Sequence, residues 1–242
     1  MKALILAGGY GTRISELTQK IPKPMIPIGE YPILAHIMSH YSFYGVNDFL
    51  ILGGYKVNEI SKFFLREGAE LISRNSWKVE VADTGEATST GGRLLAVKNL
   101  VPEQFMLTYG DGLSDVNISE LYRFHLNEKR IATVTAVRPP ARFGTIEFKS
   151  GLVTNFSEKD PQKVGWINGG FFCFSKRIFD YLGTGDTSLE SEPMKRLVLD
   201  HALSAYSHEG FWLPMDTLRD HQNLCAEWAQ GTAKWNYQAL KY

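Results

Sequence analysis

Short apolar runs alternate with segments of helical periodicity along the first half of the chain. Residues 2–7 form an apolar run that stops at Gly8, which is typical of a buried parallel strand leading into a loop. Residues 31–44 place apolar side chains at helical spacing and end before Gly45, a common helix stop. The same criteria predict strands over 48–53, 77–82, 104–109 and 131–137, and helices over 57–68, 92–98 and 117–129. This alternation predicts an α/β fold with helices on both faces of a parallel or mixed sheet.

The pattern changes after Pro139 and Pro140. Three shorter strands and three helices are predicted over 144–149, 152–158, 167–174, 175–182, 190–202 and 217–230. We interpret 139–175 as a small β-rich insertion built onto the main sheet. The whole chain, 1–242, is then one domain without repeats or a clear linker.

Composition narrows the classes of partner and location. The chain has 242 residues, 44% of them apolar, which is enough for a real core. Lysine plus arginine equals aspartate plus glutamate at 26 each, so nothing predicts a nucleic acid or an anionic membrane as partner. The two cysteines lack metal-ligand spacing, and no segment reads as an export signal or a membrane span. We therefore expect a cytoplasmic protein with reduced thiols.

A glycine-rich loop follows the first predicted strand. It runs from Leu6 to Arg13, and its glycines let backbone N–H groups approach phosphates. The dinucleotide fingerprint is excluded because Ile14 replaces its third glycine, and the Walker loop is excluded because no Gly-Lys-Ser/Thr occurs here. A bare glycine loop can also be a simple turn. Lys23, held between two prolines, is a second candidate phosphate ligand or a solvated lysine.

Two aspartates are candidate Mg²⁺ ligands. Asp111 lies between two glycines after a predicted strand, where it can also be a turn residue. Asp216 precedes the last predicted helix, where it can also be the N-cap. Mg²⁺ commonly takes one or two protein carboxylates and completes its shell with water and phosphate oxygens. Histidines 36, 40 and 125 have no acidic partners at metal-ligand spacing and are interpreted as packed or surface residues.

Six motifs follow one another along the chain: GGYGTR (8–13), IPKPM (21–25), DTGEATSTGGRL (83–94), YGDG (109–112), NGGFF (168–172) and FWLPMDTLRD (211–220). Together, and in this order, they resemble the glucose-1-phosphate cytidylyltransferase family of the sugar-nucleotide pyrophosphorylase superfamily. The first motif is shared across the superfamily. The third and last are more specific to the cytidylyl branch. The resemblance covers nearly the whole chain.

The resemblance implies a Rossmann-like nucleotidyltransferase fold with a mixed, mostly parallel central sheet. It also implies transfer of a cytidylyl group from CTP to a sugar 1-phosphate, with Mg²⁺, in a homo-oligomer that serves surface-polysaccharide synthesis. Carried over by motif, Arg13, Lys23 and Asp111 would be catalytic, and Asp111 and Asp216 would bind the metal. The implied nucleotide-binding residues are Leu6, Ala7, Gly8, Gly9, Gly11, Thr12, Arg13, Lys23, Thr88, Arg93 and Gly110. The implied acceptor-binding residues are Glu158, Lys159, Asn168 and Gly169.

The chain departs from the family pattern on the acceptor side and in one loop. The segment between Phe64 and Trp77 is short, Asp160 adds an acid beside Lys159, and Trp166 precedes the NGGFF motif. A different phosphorylated acceptor, sugar or not, is therefore an open alternative, as is UTP or dTTP in place of CTP. A non-catalytic sugar-nucleotide sensor would be expected to lack the Arg13, Lys23 or Asp111 side chains, and all three are present.

Overall fold

A computed structural model describes residues 1–140, 144–158 and 165–235. The strands are β1 (Lys2–Ala7), β2 (Pro27–Ile28), β3 (Tyr31–Pro32), β4 (Asp48–Gly53), β5 (Lys78–Asp83), β6 (Gln104–Tyr109), β7 (Gly112–Ser114), β8 (Ala132–Val137), β9 (Thr145–Lys149), β10 (Leu152–Ser157), β11 (Ile167–Ser175), β12 (Leu203–His208) and β13 (Trp212–Pro214). The α-helices are α1 (Ser15–Thr18), α2 (Ile33–Phe43), α3 (Val57–Leu65), α4 (Ala69–Asn75), α5 (Thr90–Ala96), α6 (Ile118–Glu128), α7 (Phe179–Leu182), α8 (Glu192–Leu199) and α9 (Leu218–Ala229).

The central sheet has seven strands within the described residues, in the order β12-β8-β11-β6-β1-β4-β5. β1 lies between β4 and β6 and is parallel to both, and β5 continues the parallel run beside β4. β12 is parallel to β8, whereas β11 is antiparallel to both of its neighbours. The prediction of a mixed, mostly parallel sheet is therefore confirmed.

The core lies on both faces of this sheet, because successive strand residues point to opposite sides. Ala3 and Ile5 of β1 join one buried cluster, and Leu4 and Leu6 join the other. The first cluster is closed by α2, α6 and α9, and the second by α5, α7 and α8. A strand buried on both faces needs apolar residues at every position, which explains the unbroken apolar run at the start of the chain.

The elements that the sequence did not predict include the edge strand β12 and the short helix α4. The helix predicted over 190–202 ends at Leu199, and the edge strand β12 follows it at Leu203. Strand β12 was not predicted because it lies at the edge of the sheet, where it is half-buried and carries Ser, Tyr and His rather than an apolar run. The segment between Phe64 and Trp77, treated as a shortened loop, contains α4. The helix predicted over 175–182 is a single α-turn, Phe179–Leu182, preceded by a 3₁₀ turn.

The predicted insertion ends too late. β9 and β10 pair only with each other among the described residues, so this hairpin does stand apart from the main sheet. β11, which was assigned to the insertion, lies in the middle of the main sheet between β8 and β6. Its continuous run Phe171–Phe174 is buried on both faces, as a central strand requires.

No helix among the described residues is long and apolar enough to cross a membrane. Cys173 is buried, Cys225 is partly buried, and both are free thiols.

Candidate active site

A cavity of about 430 Å³ opens at the carboxyl ends of the central strands β1 and β6, the edge where α/β proteins bind ligands. It is lined by residues that come from the glycine loop, the segment around Lys23, the start of α5, the end of β6, the start of β11 and the segment after β13. These are Leu6, Ala7, Gly8, Gly9, Gly11, Thr12, Arg13, Lys23, Pro24, Thr90, Arg93, Thr108, Tyr109, Gly110, Asp111, Gly112, Asn168, Gly169, Trp212, Pro214 and Asp216.

Two walls of the cavity, the glycine loop and the end of β6, each need a glycine for geometric reasons. Gly11 has a φ of 64°, and a Cβ there would lie 2.7 Å from Cγ2 of Thr18. Gly110, on the opposite wall, donates its N–H to the Leu6 carbonyl at 2.9 Å. A Cβ at Gly110 would lie 2.8 Å from that same oxygen. The two walls of the cavity therefore touch through backbone, which fixes the loop against β6.

Lys23, Asp111 and Asp216 meet in this cavity. The Lys23 Nζ lies 2.6 Å from Oδ2 of Asp111 and 2.9 Å from Oδ1 of Asp216. Burial is the largest single influence on Lys23 and lowers its pKa, but the two carboxylates together outweigh it and raise the pKa above the ordinary 10.5. Lys23 is thus a charged, nearly buried ammonium rather than a solvated lysine.

A short β-ladder brings the two aspartates together from distant parts of the chain. β7 begins directly after Asp111, and β13 ends two residues before Asp216. These strands pair antiparallel with Pro214 opposite Gly112, and the Met215 N–H donates to the Asp111 carbonyl at 2.9 Å. The ladder therefore sets both carboxylates at one end of the same hairpin-like pair.

Asp216 is not the N-cap of α9. Thr217 holds that position and forms a capping box, in which its hydroxyl accepts from the Asp220 N–H while Asp220 accepts from the Thr217 N–H. The Asp216 carboxylate instead accepts from Nη1 of Arg13 at 2.7 Å. The Arg13 side chain is 73% exposed, so the rest of its guanidinium is open to a ligand.

Of the other site residues predicted from the sequence, some line this cavity and others lie outside it. Asn168 and Gly169 line the cavity, whereas Thr88 lines a separate surface pocket and Glu158 is exposed outside the cavity lining. Lys159 lies outside the described residues. Arg93 lines the cavity but is almost fully buried, and its guanidinium donates hydrogen bonds to backbone carbonyl oxygens. Burial lowers the pKa of Arg93, and the charges of Asp186 and Asp83 act in the opposite direction.

A polar network on the wall that contains Asn168 and Gly169 was not found from the sequence. The Tyr109 hydroxyl donates to Glu190, and Asn168 donates to that hydroxyl at 3.2 Å. Glu190 also accepts from the Thr90 hydroxyl at 2.6 Å, and the Trp212 indole N–H donates to the Gly169 carbonyl at 2.7 Å. Tyr109 lies inside the YGDG motif and Trp212 inside the FWLPMDTLRD motif, so the sequence did contain a signal for these two residues. Glu190 had no such signal, because only folding brings it across from the segment before α8.

The fold and the cavity define an α/β protein that binds its ligand at the carboxyl edge of the sheet, beside a glycine loop. The model of the nucleotidyl transferase family matches residues 2–220, and the chain belongs to that family. It is 42% identical to the probable glucose-1-phosphate cytidylyltransferase of Bacillus subtilis, over 97% of this chain and 99% of that protein. It is also 42% identical to glucose-1-phosphate cytidylyltransferase of Salmonella typhimurium, over 97% of this chain and 98% of that protein.

Solved structures support the same fold. A putative glucose-1-phosphate thymidylyltransferase from Bacillus anthracis superposes with a TM-score of 0.75 at 21% identity, covering 98% of this chain and 97% of that one. A UDP-glucose pyrophosphorylase complexed with UDP-glucose superposes with a TM-score of 0.71 at 17% identity, covering 95% of this chain and 98% of that one. At these identities the likeness establishes the architecture alone. The two cytidylyltransferase relatives confirm the resemblance found from the motifs.

Proposed function

We propose that this nucleotidyltransferase joins CTP to glucose 1-phosphate, giving CDP-glucose and pyrophosphate. The observation that carries the proposal is the 42% identity to glucose-1-phosphate cytidylyltransferases along nearly the whole chain. The cavity that contains Lys23, Asp111 and Asp216 supplies the chemistry such a reaction needs. The nucleotide would lie along the glycine loop from Leu6 to Arg13, where backbone N–H groups face the phosphates.

The reaction is a displacement at the α-phosphorus of the nucleotide. A phosphate oxygen of the sugar 1-phosphate forms the new P–O bond, and the bond from the α-phosphorus to the β-phosphate oxygen breaks, so that pyrophosphate leaves. A phosphate monoester has its second pKa near about 6, so the acceptor is largely dianionic at neutral pH and needs no general base.

Charge repulsion is the main barrier to this step. Two unit charges about 4 Å apart repel by roughly 4 kcal/mol at an effective dielectric of 20, and both substrates carry several negative charges. Arg13 and Lys23 would offset this repulsion by binding phosphate oxygens at the positions where charge develops. Arg13 is open to the cavity, and Lys23 is held as an ammonium within it.

Asp111 and Asp216 fit a divalent cation, which we propose to be Mg²⁺. Their oxygens already converge on one cation, the Lys23 Nζ. No group of three or more His, Cys, Asp or Glu side chains suited to a metal occurs in the part of the chain that the structure describes, so the protein offers two carboxylates. That matches the Mg²⁺ habit of taking one or two carboxylates together with water and phosphate oxygens. A bound Mg²⁺ would neutralise part of the phosphate charge.

The acceptor would lie on the wall formed by Asn168, Gly169 and Tyr109. Asn168 is held by its bond to the Tyr109 hydroxyl, and its side-chain oxygen accepts the Gly170 N–H at 2.9 Å. Glu158 and Lys159 stay predictions for this subsite. Contacts to the sugar hydroxyls on this wall would decide which sugar phosphate is accepted, because a site built to bond a hydroxyl rejects an analogue that lacks it.

A substrate panel tests the proposal. Purified protein with Mg²⁺ is supplied with CTP, UTP, dTTP or GTP, each paired with glucose 1-phosphate or another sugar phosphate, and pyrophosphate release is measured. We expect CTP with glucose 1-phosphate to give the highest kcat/KM and a CDP-sugar detectable by chromatography. A higher kcat/KM with another acceptor would establish the alternative acceptor suggested by Asp160 and Trp166. The absence of pyrophosphate with every pair would refute nucleotidyl transfer.

A further inference from the structure

The guanidinium of Arg93 lies buried directly beneath the glycine loop. Its two terminal nitrogens donate to oxygens that follow three neighbouring parallel strands, β1, β4 and β5. The acceptors of Nη2 are the carbonyls of Gly8 at 2.9 Å and Glu86 at 3.1 Å. The acceptors of Nη1 are the Gly53 carbonyl at 2.9 Å, the Thr84 hydroxyl at 2.8 Å and the Gly85 carbonyl at 2.7 Å.

Two glycines leave the space that this guanidinium occupies. A Cβ at Gly8 would lie 2.1 Å from Cζ of Arg93, and a Cβ at Gly54 would lie 2.3 Å from its Nη1. Neither glycine has a positive φ, so backbone conformation does not explain the residue choice. The space that Arg93 occupies does explain it. Gly8 and Gly54 are therefore the two sides of a cradle for this side chain.

We propose that Arg93 is a positioning residue for the nucleotide subsite: it ties the glycine loop to the ends of β4 and β5 before any nucleotide binds. The inference rests on the proposed nucleotide site, and it changes the role of Arg93 from a direct contact with CTP to a support for the loop. The terminal N–H groups face protein oxygens, so their hydrogen bonds are already made without a ligand. The Tyr55 N–H joins the same arrangement by donating to the Gly8 carbonyl at 3.2 Å.

A lysine cannot replace this arginine. The guanidinium is a planar fork that meets acceptors on two sides, whereas an ammonium is a compact charge with three donors. Arg93→Lys would leave some of the five oxygens without a donor in a buried place, which loosens the segments that carry them. The glycine loop would then have to be ordered when the nucleotide binds, and affinity would fall.

Hydrogen exchange in the ligand-free protein separates the two roles. For Arg93→Lys we expect faster amide exchange in residues 8–13 and 53–55, with α6 unchanged, and a Kd for CTP raised roughly 10- to 100-fold. Gly54→Ala is a second variant that keeps the arginine but displaces its guanidinium, because the added Cβ would lie 2.3 Å from Nη1 and 2.6 Å from the Gly85 carbonyl oxygen. It should speed exchange in the same residues, although Gly54 does not line the described cavity. The exposed Arg74→Lys is the matched control and should change neither measurement.

Each outcome decides the proposal. Unchanged exchange in ligand-free Arg93→Lys together with weaker CTP binding would overturn it and make Arg93 a direct ligand contact. Exchange raised evenly across the protein would also overturn it and make Arg93 a general stability residue. If CTP fails to bind even the unaltered protein, the proposed function falls, whereas the exchange result still reports whether Arg93 holds the loop.

Discussion

Lys23 puts one ammonium between two carboxylates that lie 105 positions apart in the chain, at 111 and 216. An unpaired charge would be costly in this nearly buried place, and two acidic side chains this close would repel each other without a cation. Pro22 and Pro24 restrict the backbone on either side of the lysine, so little conformational freedom is lost when its side chain is held. The lysine therefore stabilises the carboxylate pair when no metal is bound.

Replacing Lys23 with Met tests this role without any substrate. In EDTA we expect Lys23→Met to lower the free energy of unfolding by about 1–3 kcal/mol, since the two partly buried carboxylates then repel each other without the ammonium between them, although Asp216 keeps its contact with Arg13. Added Mg²⁺ should then stabilise the variant more than the unaltered protein. Urea denaturation with and without Mg²⁺ measures both effects. The exposed Lys62→Met, which breaks only a surface pair with Glu59, is the control and should respond little. An equal Mg²⁺ response in Lys23→Met and the unaltered protein would contradict the assignment of the metal ligands.

The same contact predicts an alkaline limit. The folded pKa of Lys23 is raised, so its contribution to stability is complete below about pH 10.5, the usual pKa of a lysine, and is lost as the pH rises through the higher folded value. We expect the stability difference between the unaltered protein and Lys23→Met, measured by urea denaturation in EDTA, to be constant from pH 7 to 10 and to shrink above that range. A difference that already disappears near pH 8 would contradict a charged, paired lysine.

Asp111→Ala tests the chemistry at the same site. The change removes one of two metal ligands and one partner of Lys23, so we expect kcat for CTP and glucose 1-phosphate to fall by at least about 10²–10³. Circular dichroism should show an unchanged fold, because the Asp111 side chain is partly exposed and outside both cores. Asp180→Ala, on the exposed start of α7, is the control and should retain activity. Near-normal turnover by Asp111→Ala would remove the main support for the site.

At the scale of elements, the start of α9 combines a structural and a functional task. Thr217 caps the helix, while the preceding residue, Asp216, points to Lys23 and Arg13. Thr217→Ala should lower the free energy of unfolding by about 1 kcal/mol and also reduce kcat, because the backbone that holds Asp216 is loosened. Asn117→Ala removes the N-cap of α6, whose side chain accepts from the Glu120 N–H at 3.0 Å and does not line the cavity. It should cost similar stability with kcat unchanged. Equal kcat in both variants would show that the cap does not position Asp216.

Helix α2 carries a buried histidine that limits stability in acid. Burial lowers the pKa of His36 to about 4. Its Nε2 donates to the Ile28 carbonyl at 2.9 Å, and its Nδ1 accepts from the Trp235 indole at 3.3 Å, an arrangement that only the neutral ring can make. The unfolded chain takes up this proton near pH 6.5, so stability should fall as the pH drops from 6.5 to 4, by on the order of 2–3 kcal/mol from this group. Denaturation curves of His36→Gln should show a smaller fall over that window. Parallel curves would contradict the assignment.

Some strands could be predicted from the sequence alone, whereas others could not. Central strands such as β1 and β4 are buried on both faces, so their apolar runs are visible without a structure. The three-residue strands β7 and β13 leave no periodic signal, because their stability comes from pairing with each other across about 100 residues. That ladder is what joins Asp111 to Asp216. That the two aspartates hold one metal ion together was thus predicted from motif and residue type, but the ladder that brings them to the same place was not.

At the scale of the whole molecule, the fold gathers the site from nearly the full length of the chain. The glycine loop follows the first strand, and Asp216 lies close to the last helix. Parallel strands bring their carboxyl ends to one edge, so these distant segments meet there as a consequence of topology. The role of Arg93 depends on this arrangement too, since its acceptors lie at or just after the carboxyl ends of three strands. Sequence patterns predicted the edge, whereas the hydrogen bonds of Arg93 needed the packed structure.

The hairpin of β9 and β10 presents an apolar face to solvent. Phe148 pairs with Val153 and Ile146 with Phe156, so these four apolar side chains share one face. Each is more than half exposed, with Phe148 at 72% and Phe156 at 63%. Together they form an exposed apolar patch on one face of the hairpin, and a two-stranded hairpin is marginally stable by itself. A second copy would present the same face, and the chain's net charge of zero gives no repulsion between copies.

We therefore expect the protein to self-associate through this hairpin face, and the resemblance to the family implies a homo-oligomer. Light scattering after size-exclusion chromatography should give a mass above that of one chain at micromolar concentration. Phe148→Glu puts a charge into the face and should shift the protein toward the monomer without unfolding it, because the side chain is already exposed. Phe43→Glu changes an exposed aromatic residue at the end of α2, away from the hairpin, and should leave the mass unchanged. A monomeric unaltered protein, or an oligomer indifferent to Phe148→Glu, would rule out this face as the interface.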